Sequence, residues 1–202
     1  MSSATTPAAA GAGGPSVLVA CRVRPHVSRA DGTGDWGDPV VSLDLNARTA
    51  QTRDPSSGRL LSFGPFDALF GPESTQSRVF EELGRPMVSA ALAGVNATIL
   101  AYGQTGSGKT HTMQGGARSG PGLTPRVVAG IFDGIAAAAD TWEFMVRVSY
   151  VEIYLERVRD LLNPSATNLT IRQDVERGVY VEGERVYVGE GGGKVAMESK
   201  NK

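Results

Sequence analysis

A phosphate-binding loop at residues 103–110 constrains the fold of this chain more than any other feature. These residues are Gly-Gln-Thr-Gly-Ser-Gly-Lys-Thr, and they directly follow an apolar run of strand-forming residues at 97–102. The residues after the loop, 109–113, predict the start of a helix. A strand, a glycine-rich loop and a helix in this order are the context in which the pattern binds phosphates. We therefore predict a nucleotide-binding α/β domain in preference to a glycine-rich turn without a ligand.

Each residue type in the loop has a physical reason to be there. Gly103, Gly106 and Gly108 lack a Cβ, which lets backbone N–H groups surround a phosphate. Lys109 is predicted to place a positive charge near the β- and γ-phosphates, and the Thr110 hydroxyl is the expected Mg²⁺ ligand. The other predicted members of the phosphate site are Gln104, Thr105 and Ser107.

Composition narrows the class of protein. The chain has 202 residues, of which 41% are hydrophobic and 20% charged, as expected for one soluble domain or a fragment of a larger one. Because 20 basic and 21 acidic residues give a net charge of −1, any nucleic-acid surface would have to be a local patch, and we expect no nucleic-acid partner. No apolar stretch approaches the ~20 residues of a membrane span, so no membrane association is expected. The single cysteine, Cys21, fits a reducing cytoplasm.

Hydrophobic periodicity predicts strands that alternate with helices. The predicted strands lie at 17–23, 40–45, 59–63, 97–102, 142–154, 169–171, 179–181 and 185–188, with a turn at 54–58. Helices are predicted at 74–93 with a kink at Pro86, from a Thr124 cap and Pro125 to Ile135, and at 155–162. This alternation predicts an α/β sheet covered by helices on both faces, with a ligand at the carboxyl ends of its strands.

The two ends of the chain differ in composition from its middle. Residues 1–15 are rich in Ala, Gly, Ser and Thr and contain no secretory signal, which predicts a disordered leader. From Gly189 to Lys202 the sequence is glycine-rich and without periodicity, which predicts a disordered tail. The folded domain is therefore expected at 16–188.

Four segments carry a resemblance to a known family. They are Cys21–Pro25, Phe66–Phe70 followed by Thr75–Gln76, Asn96–Met113, and Tyr150–Glu156 followed by Asp160–Leu162. In this order and spacing they closely resemble the kinesin motor domain. The resemblance covers residues 16–188 and implies a P-loop NTPase-like mixed, mostly parallel sheet with helices on both faces. It also implies ATP and Mg²⁺ as cofactors, microtubules (tubulin) as partner, and a cytoplasmic location on the microtubule cytoskeleton.

The resemblance implies a base-binding edge. Arg22, Arg24 and Pro25 match the family's segment at this edge, in which Arg22 and Pro25 flank adenine, and His111 matches a position that packs against the base. An arginine can stack on a purine, which supports this interpretation. Without the resemblance, the alternative for the two arginines is a solvated strand face, and the alternative for His111 is a helix surface.

A second implied contact is with tubulin. Residues Leu169–Val181 resemble the hairpin whose loop faces tubulin, and there Arg172 and Arg177 could meet an acidic surface. Ordinary exposed arginines on a hairpin are the alternative. Glu152 and Glu156 match a structural joint of the family, and no catalytic role is expected for them.

The family's two switch motifs do not occur in these 202 residues. Kinesins have an N-x-x-S-S-R-S-H and a D-L-A-G-S-E motif that position the attacking water and register the γ-phosphate. The nearest substitute, Asp133, lies in a predicted helix and suits neither role. The chain is therefore predicted to be the amino-terminal part of a motor domain, truncated before the switches. We expect it to contain no catalytic residue, to bind microtubules weakly, and not to hydrolyse ATP by itself.

Truncation also has a structural consequence. In the family's sheet, the strand at 97–102 is flanked by strands from the half that is not matched here, so its backbone groups are expected to be unpaired. Two other interpretations remain. One is a non-catalytic nucleotide- or microtubule-binding module, and the other is an unrelated P-loop enzyme, which would not explain residues 22–25 or 150–162. No heptad run exists, so no oligomeric state is predicted.

Overall fold

The computed structural model describes residues 17–25, 40–141, 144–175, 178–184, 186–190 and 194–198. The chain divides into two compact units, Met1–Phe132 and Asp133–Lys202. Its mixed, incomplete sheets with helices confirm the predicted α/β class. No helix in the described ranges is both long and apolar enough to cross a membrane.

A parallel pair of strands lies in the core of the first unit. Strand β1 (Ala20–Arg22) pairs with β5 (Ala68–Phe70) in the register Ala20 to Ala68 and Arg22 to Phe70. All three residues of β5 are buried, and Phe70 is fully inaccessible. The hydrophobic core around this strand consists of Ala68, Phe70, Val79, Phe80, Val88 and Leu123. Because this core holds β1 in place, it also sets where Arg22 at the end of β1 lies.

The predicted kinked helix is present as three consecutive segments. Helix α1 (Gln76–Val79) is followed by a π-helical turn at Phe80–Gly84 and by α2 (Arg85–Leu92). The Oγ1 of Thr75 accepts the N–H of Arg78 at 3.1 Å, which confirms the predicted Ser/Thr cap. In the π-helical turn, the N–H of Arg85 donates to the carbonyl of Phe80. Pro86 stands at the start of α2, where a proline is tolerated although it has no N–H to donate.

Three antiparallel strands form a separate sheet in the first unit. They are β2 (Val41–Asp44), β3 (Thr49–Arg53) and β4 (Leu60–Phe63), with β3 in the middle. The predictions for β2, β4 and the turn at 54–58 are confirmed, since the N–H of Gly58 donates to the carbonyl of Asp54 at 2.8 Å. Strand β3 was not predicted, because its polar sequence Thr-Ala-Gln-Thr-Arg lacks an apolar alternation.

The predicted strand at 97–102 is not formed, which is a correction to the sequence analysis. Within the described part of the chain, residues 96–102 make no backbone hydrogen bond, and Leu100 and Tyr102 are 84% and 96% exposed. A strand exists only when a neighbour supplies its ladder partners, and no described strand lies alongside this run. The backbone is thus unpaired, as the sequence analysis expected.

The polypeptide after the phosphate loop forms a short helix, a tight hairpin and a long helix. These are α3 (Lys109–Met113), β6 (Gly115–Gly116) with β7 (Gly120–Pro121), and α4 (Leu123–Ala138), which ends in the second unit. Helix α4 begins before the predicted Thr124 cap, since the Gly122 carbonyl already accepts the N–H of Arg126. Pro125 is tolerated in the first turn because N–H groups there have no intrahelical acceptor.

Antiparallel strands form the second unit. One sheet has the order β12–β11–β10–β9 and another the order β14–β13–β8. Their bounds are β8 (Met145–Val148), β9 (Val151–Tyr154), β10 (Arg157–Asp160), β11 (Thr167–Asp174), β12 (Gly178–Glu182), β13 (Val186–Glu190) and β14 (Lys194–Glu198). The three brief strands predicted at 169–188 correspond to β11, β12 and β13.

Two predictions for the second unit were wrong. The single strand predicted at 142–154 is divided into β8 and β9, which belong to different sheets, and its residues 142–143 lie outside the described ranges. The helix predicted at 155–162 is instead a hairpin, because Leu155 and Glu156 adopt positive φ angles of 47° and 61° and form a two-residue turn. In β10, buried Val158 and Asp160 alternate with exposed arginines, a strand period that the sequence analysis overlooked.

The predicted tail contains secondary structure. Strand β14 pairs with β13 in the register Val186 to Glu198 and Glu190 to Lys194. Its sequence, Lys-Val-Ala-Met-Glu, is too short and follows too many glycines to have been recognised. The predicted leader at 1–15 lies outside the described residues, so the domain boundaries stay a prediction.

Candidate nucleotide-binding site

Three glycines determine the shape of the loop at 103–110. Gly103, Gly106 and Gly108 have φ angles of 151°, 79° and 104°, which residues with a Cβ rarely adopt. A Cβ at Gly103 would lie 2.5 Å from the Oγ of Ser107. Gly108 occupies the cap position of α3, with nothing within 4 Å of where its Cβ would lie. The loop therefore curves tightly and leaves open space beside Gly108.

Lys109 is tied to its own loop. Its Nζ donates to the carbonyl of Gly103 at 2.8 Å and to that of Gln104 at 2.9 Å. The Gln104 carbonyl also accepts the N–H of Ser107 at 3.1 Å, while Thr105 at the loop tip is exposed. The Thr110 side chain is exposed in the first turn of α3. The end of the loop thus carries the ammonium group of Lys109 and the exposed hydroxyl of Thr110 on adjacent residues.

Arg24 contacts the phosphate loop directly. Its Nη1 donates to the carbonyl of Gly106 at 2.6 Å, and its side chain is otherwise exposed. This bond joins Arg24 to the phosphate loop, and the predicted contact of Arg24 with the base stays a prediction. Pro25, which follows it, is exposed.

The Arg22 guanidinium is held by three groups. Nη1 donates to the Oε1 of Gln76 at 2.9 Å and to the Oγ1 of Thr112 at 3.1 Å, and Nη2 donates to the carbonyl of Ser74 at 3.2 Å. Partial burial lowers the pKa of the Arg22 guanidinium from its ordinary value. Arg22 is therefore a fixed cation between β1 and α3, and the alternative of a solvated strand face does not describe it.

His111 lies at the same junction. The Nε2 of Gln76 donates to the His111 carbonyl at 2.6 Å, and the same atom is 3.4 Å from each ring nitrogen of His111. The His111 side chain is exposed and therefore accessible to a ligand. The structure thus brings Arg22, Arg24 and His111 together around the loop.

Sequence reasoning missed three residues of this junction, namely Ser74, Gln76 and Thr112. One signal could have identified Gln76: it precedes the core residues Val79 and Phe80 by three and four positions, on the same helix face. A glutamine at a core-facing position needs polar partners. Ser74 lies at the start of a predicted helix and Thr112 lies in the resembling segment Asn96–Met113, but neither pattern indicates a contact with Arg22.

The arginines predicted to face tubulin lie in the second unit. The Nε of Arg172 is 3.0 Å from the Oε2 of Glu182, and their side chains are 56% and 54% exposed. Such an exposed ion pair contributes little stability, so Arg172 can exchange partners easily. Arg177 lies outside the described residues. Glu152 and Glu156 are both exposed.

The loop suits a triphosphate with Mg²⁺. Its left-handed glycines leave room for phosphate oxygens beside a lysine ammonium, and Thr110 offers a neutral oxygen ligand for a hard cation. Within the described ranges there is no group of three or more His, Cys, Asp or Glu side chains able to hold a metal. Among the described side chains, Thr110 would hold Mg²⁺ only together with phosphate oxygens.

Comparison with known proteins supplies the family. The family model for the kinesin motor domain matches residues 22–190. The chain belongs to the kinesin motor domain family. This kinesin sequence is 42% identical over 180 residues to the kinesin heavy chain of Syncephalastrum racemosum, covering 87% of this chain and 19% of that protein. It is 41% identical over 171 residues to the kinesin heavy chain of Botryotinia fuckeliana, covering 83% and 19%.

A solved structure agrees with this membership. The structure of a fast kinesin superposes with a TM-score of 0.74 at 36% identity, covering 86% of this kinesin chain and 48% of that one. The chain therefore spans about half the solved kinesin structure and about a fifth of the two curated kinesin heavy chains. That fast kinesin is described with respect to its ATPase mechanism and its interactions with microtubules.

Proposed function

We propose that this chain is the ATP-binding amino-terminal portion of a kinesin-type microtubule motor, whose whole protein couples ATP hydrolysis to movement along microtubules. The observation that carries the proposal is the loop at 103–110, in which three glycines with positive φ precede Lys109 and Thr110 at the start of α3. Family membership supports ATP as the nucleotide.

Each predicted residue has a role in this proposal. Gly103–Thr110 hold the phosphates, with Lys109 exchanging its two carbonyl acceptors for phosphate oxygens. Arg24 supports the loop at Gly106, and Arg22, Pro25 and His111 form the edge that meets the base. Bound ATP with Mg²⁺, the latter held by the Thr110 hydroxyl, supplies the phosphoryl group that the whole motor transfers to water.

We propose that the 202-residue chain binds ATP without hydrolysing it. Its sequence contains neither switch motif, so no side chain is assigned to position the attacking water. On microtubules, we expect weak binding through the β11–β12 hairpin, where Arg172 would exchange Glu182 for acidic groups of tubulin. The cytoplasmic microtubule cytoskeleton is the corresponding location.

Isothermal titration calorimetry with ATP and Mg²⁺ tests the proposal. We expect Lys109→Ala to weaken ATP binding by at least about tenfold, because a charge-assisted contact to phosphate is lost. Arg59→Ala is the matched control, since it removes one positive charge from an exposed turn in the same unit. Equal affinities of wild type and Lys109→Ala would contradict ATP binding by the loop. Microtubule-stimulated phosphate release by the purified chain would contradict the absence of turnover.

A further inference from the structure

Gln76 is the most buried polar side chain at the junction between β1 and α3. It is 2% exposed, and both ends of its carboxamide are used. Oε1 accepts from Arg22 at 2.9 Å, and Nε2 donates to the carbonyl of His111 at 2.6 Å. Because one end accepts and the other donates, a single side chain holds a cation from β1 and the backbone of α3 at the same time.

The orientation of Arg22 depends on this acceptor. Its three partners are the Gln76 amide, the Thr112 hydroxyl and the Ser74 carbonyl. A partly buried guanidinium without its acceptors moves toward water, because an unpaired charge is costly to bury. Replacing the Gln76 oxygen by an apolar group therefore releases Arg22 from its position.

The position of α3 depends on the donor end. With five residues, α3 is too short to be stable through its own backbone bonds. Lys109 and Thr110 belong to this helix, so any displacement of α3 moves both groups. The bond from Gln76 to the His111 carbonyl anchors the helix from outside the phosphate loop.

We propose that Gln76 is a positioning residue for nucleotide binding, which couples the base side of the site through Arg22 to the phosphate side through α3. This inference rests on the proposed function, since it assumes that ATP binds at the loop. Gln76 lies behind Arg22 and α3 and acts through them.

The experiment compares two ligands, each with Mg²⁺, by isothermal titration calorimetry. ATP contains the nucleoside, and inorganic tripolyphosphate lacks it, so the ratio of the two dissociation constants measures the contribution of the base side. The variants are Gln76→Leu, which removes both bonds, and Gln76→Glu, which keeps an acceptor for Arg22 but no donor for His111. The matched control is Gln51→Leu, because Gln51 is a half-buried glutamine in β3.

For Gln76→Leu we expect ATP binding to weaken by about tenfold, as for one hydrogen bond to a charged group, and the advantage of ATP over tripolyphosphate to shrink. For Gln76→Glu we expect weaker binding of both ligands, with an unchanged ratio of the two dissociation constants. Gln51→Leu is expected to bind both ligands as the wild type does. A merely structural role would not separate the two ligands in this way.

Several outcomes would overturn the inference. One is wild-type affinity for both ligands in both Gln76 variants. Another is an unchanged ratio of dissociation constants in Gln76→Leu. If Gln76→Leu shows no cooperative thermal unfolding, Gln76→Glu decides, and an unchanged affinity of that variant for tripolyphosphate overturns the inference. Failure of the wild type to bind ATP would instead contradict the proposed function.

Discussion

Gly108 is required for the backbone conformation of the loop and not for close packing. Its φ of 104° lies in the left-handed region, yet nothing approaches within 4 Å of the position that a Cβ would occupy. Any cost of a side chain at this position therefore comes from the backbone conformation. The same conformation determines where the N–H groups at the start of α3 point.

We predict that Gly108→Ala lowers the free energy of unfolding by about 1 kcal/mol, the usual cost of a left-handed residue with a Cβ. It should also weaken ATP binding, because relaxation toward negative φ turns the loop N–H groups away. Urea unfolding and calorimetry measure the two effects.

Gly94→Ala is the matched control. Gly94 has a φ of 83° and equally open surroundings, but it ends α2, where its N–H donates to the carbonyl of Ala91. This variant should lose similar stability and keep its ATP affinity. An unchanged ATP affinity in Gly108→Ala would contradict the prediction.

At the residue scale, the sequence predicted the groups whose chemistry is local. The glycines and Lys109 follow from the phosphate-loop pattern, because backbone freedom and charge are properties of single residues. The contact of Arg24 with the loop was not predicted, since its bond to Gly106 spans 82 residues. Gln76 was missed for the same reason, because its partners are 54 and 35 residues away.

The β3–β4 turn is an element stabilised by a carboxylate. Asp54 accepts the hydroxyl of Ser57 at 2.6 Å and both the N–H and the hydroxyl of Ser56, at 2.9 and 2.8 Å. These bonds lower the pKa of Asp54 from 3.8 to about 2, and the bond from the Ser57 hydroxyl has the largest effect. A depressed pKa means that the folded turn favours the ionised form.

We predict that this stabilisation is fully present above about pH 4 and is lost as the pH falls through about 2. A carboxyl-carbon NMR titration of Asp54 measures its pKa. Ser57→Ala should raise that pKa toward 3.8, whereas Ser42→Ala, in β2, should leave it unchanged. A wild-type pKa near 3.8 would contradict the prediction.

At the element scale, predictions succeeded where the end of a helix is marked by a capping residue or a proline. The Thr75 cap and Pro86 located the kinked helix, because capping and the missing N–H act within one turn. The β9–β10 hairpin was missed because Leu155 and Glu156 are unusual residues for a turn with positive φ. The strand at 97–102 was predicted from composition, but pairing partners lie beyond the reach of local pattern.

The first unit as a whole exposes apolar surface around residues 97–102. Leu100 and Tyr102 are exposed, while Ala97 and Ile99 line a cavity of about 270 Å³ together with side chains of α2 and α4. An apolar run with unpaired backbone groups is a template for pairing with another chain. We therefore expect the 202-residue chain to self-associate at high concentration.

We predict that Leu100→Glu reduces self-association, as measured by sedimentation velocity over a range of concentrations. The inserted charge interrupts the apolar run without emptying the core, because Leu100 is 84% exposed. Leu155→Glu is the matched control, since Leu155 is 77% exposed and the substitution changes the net charge equally. An equal reduction of self-association in the two variants would mean that the added charge alone is responsible, and would contradict the prediction.

The contacts of the nucleotide site also determine when that site can form. The bonds of Arg22 to Gln76 and Thr112 span 54 and 90 residues, and β1 pairs with β5 across a segment of similar length. By contrast, the β2–β3–β4 and β9–β10 hairpins join neighbouring residues. Because closing long loops is entropically slow, the hairpins should fold early and the site late. During synthesis, Arg22 therefore cannot form its final set of hydrogen bonds until Thr112 has left the ribosome.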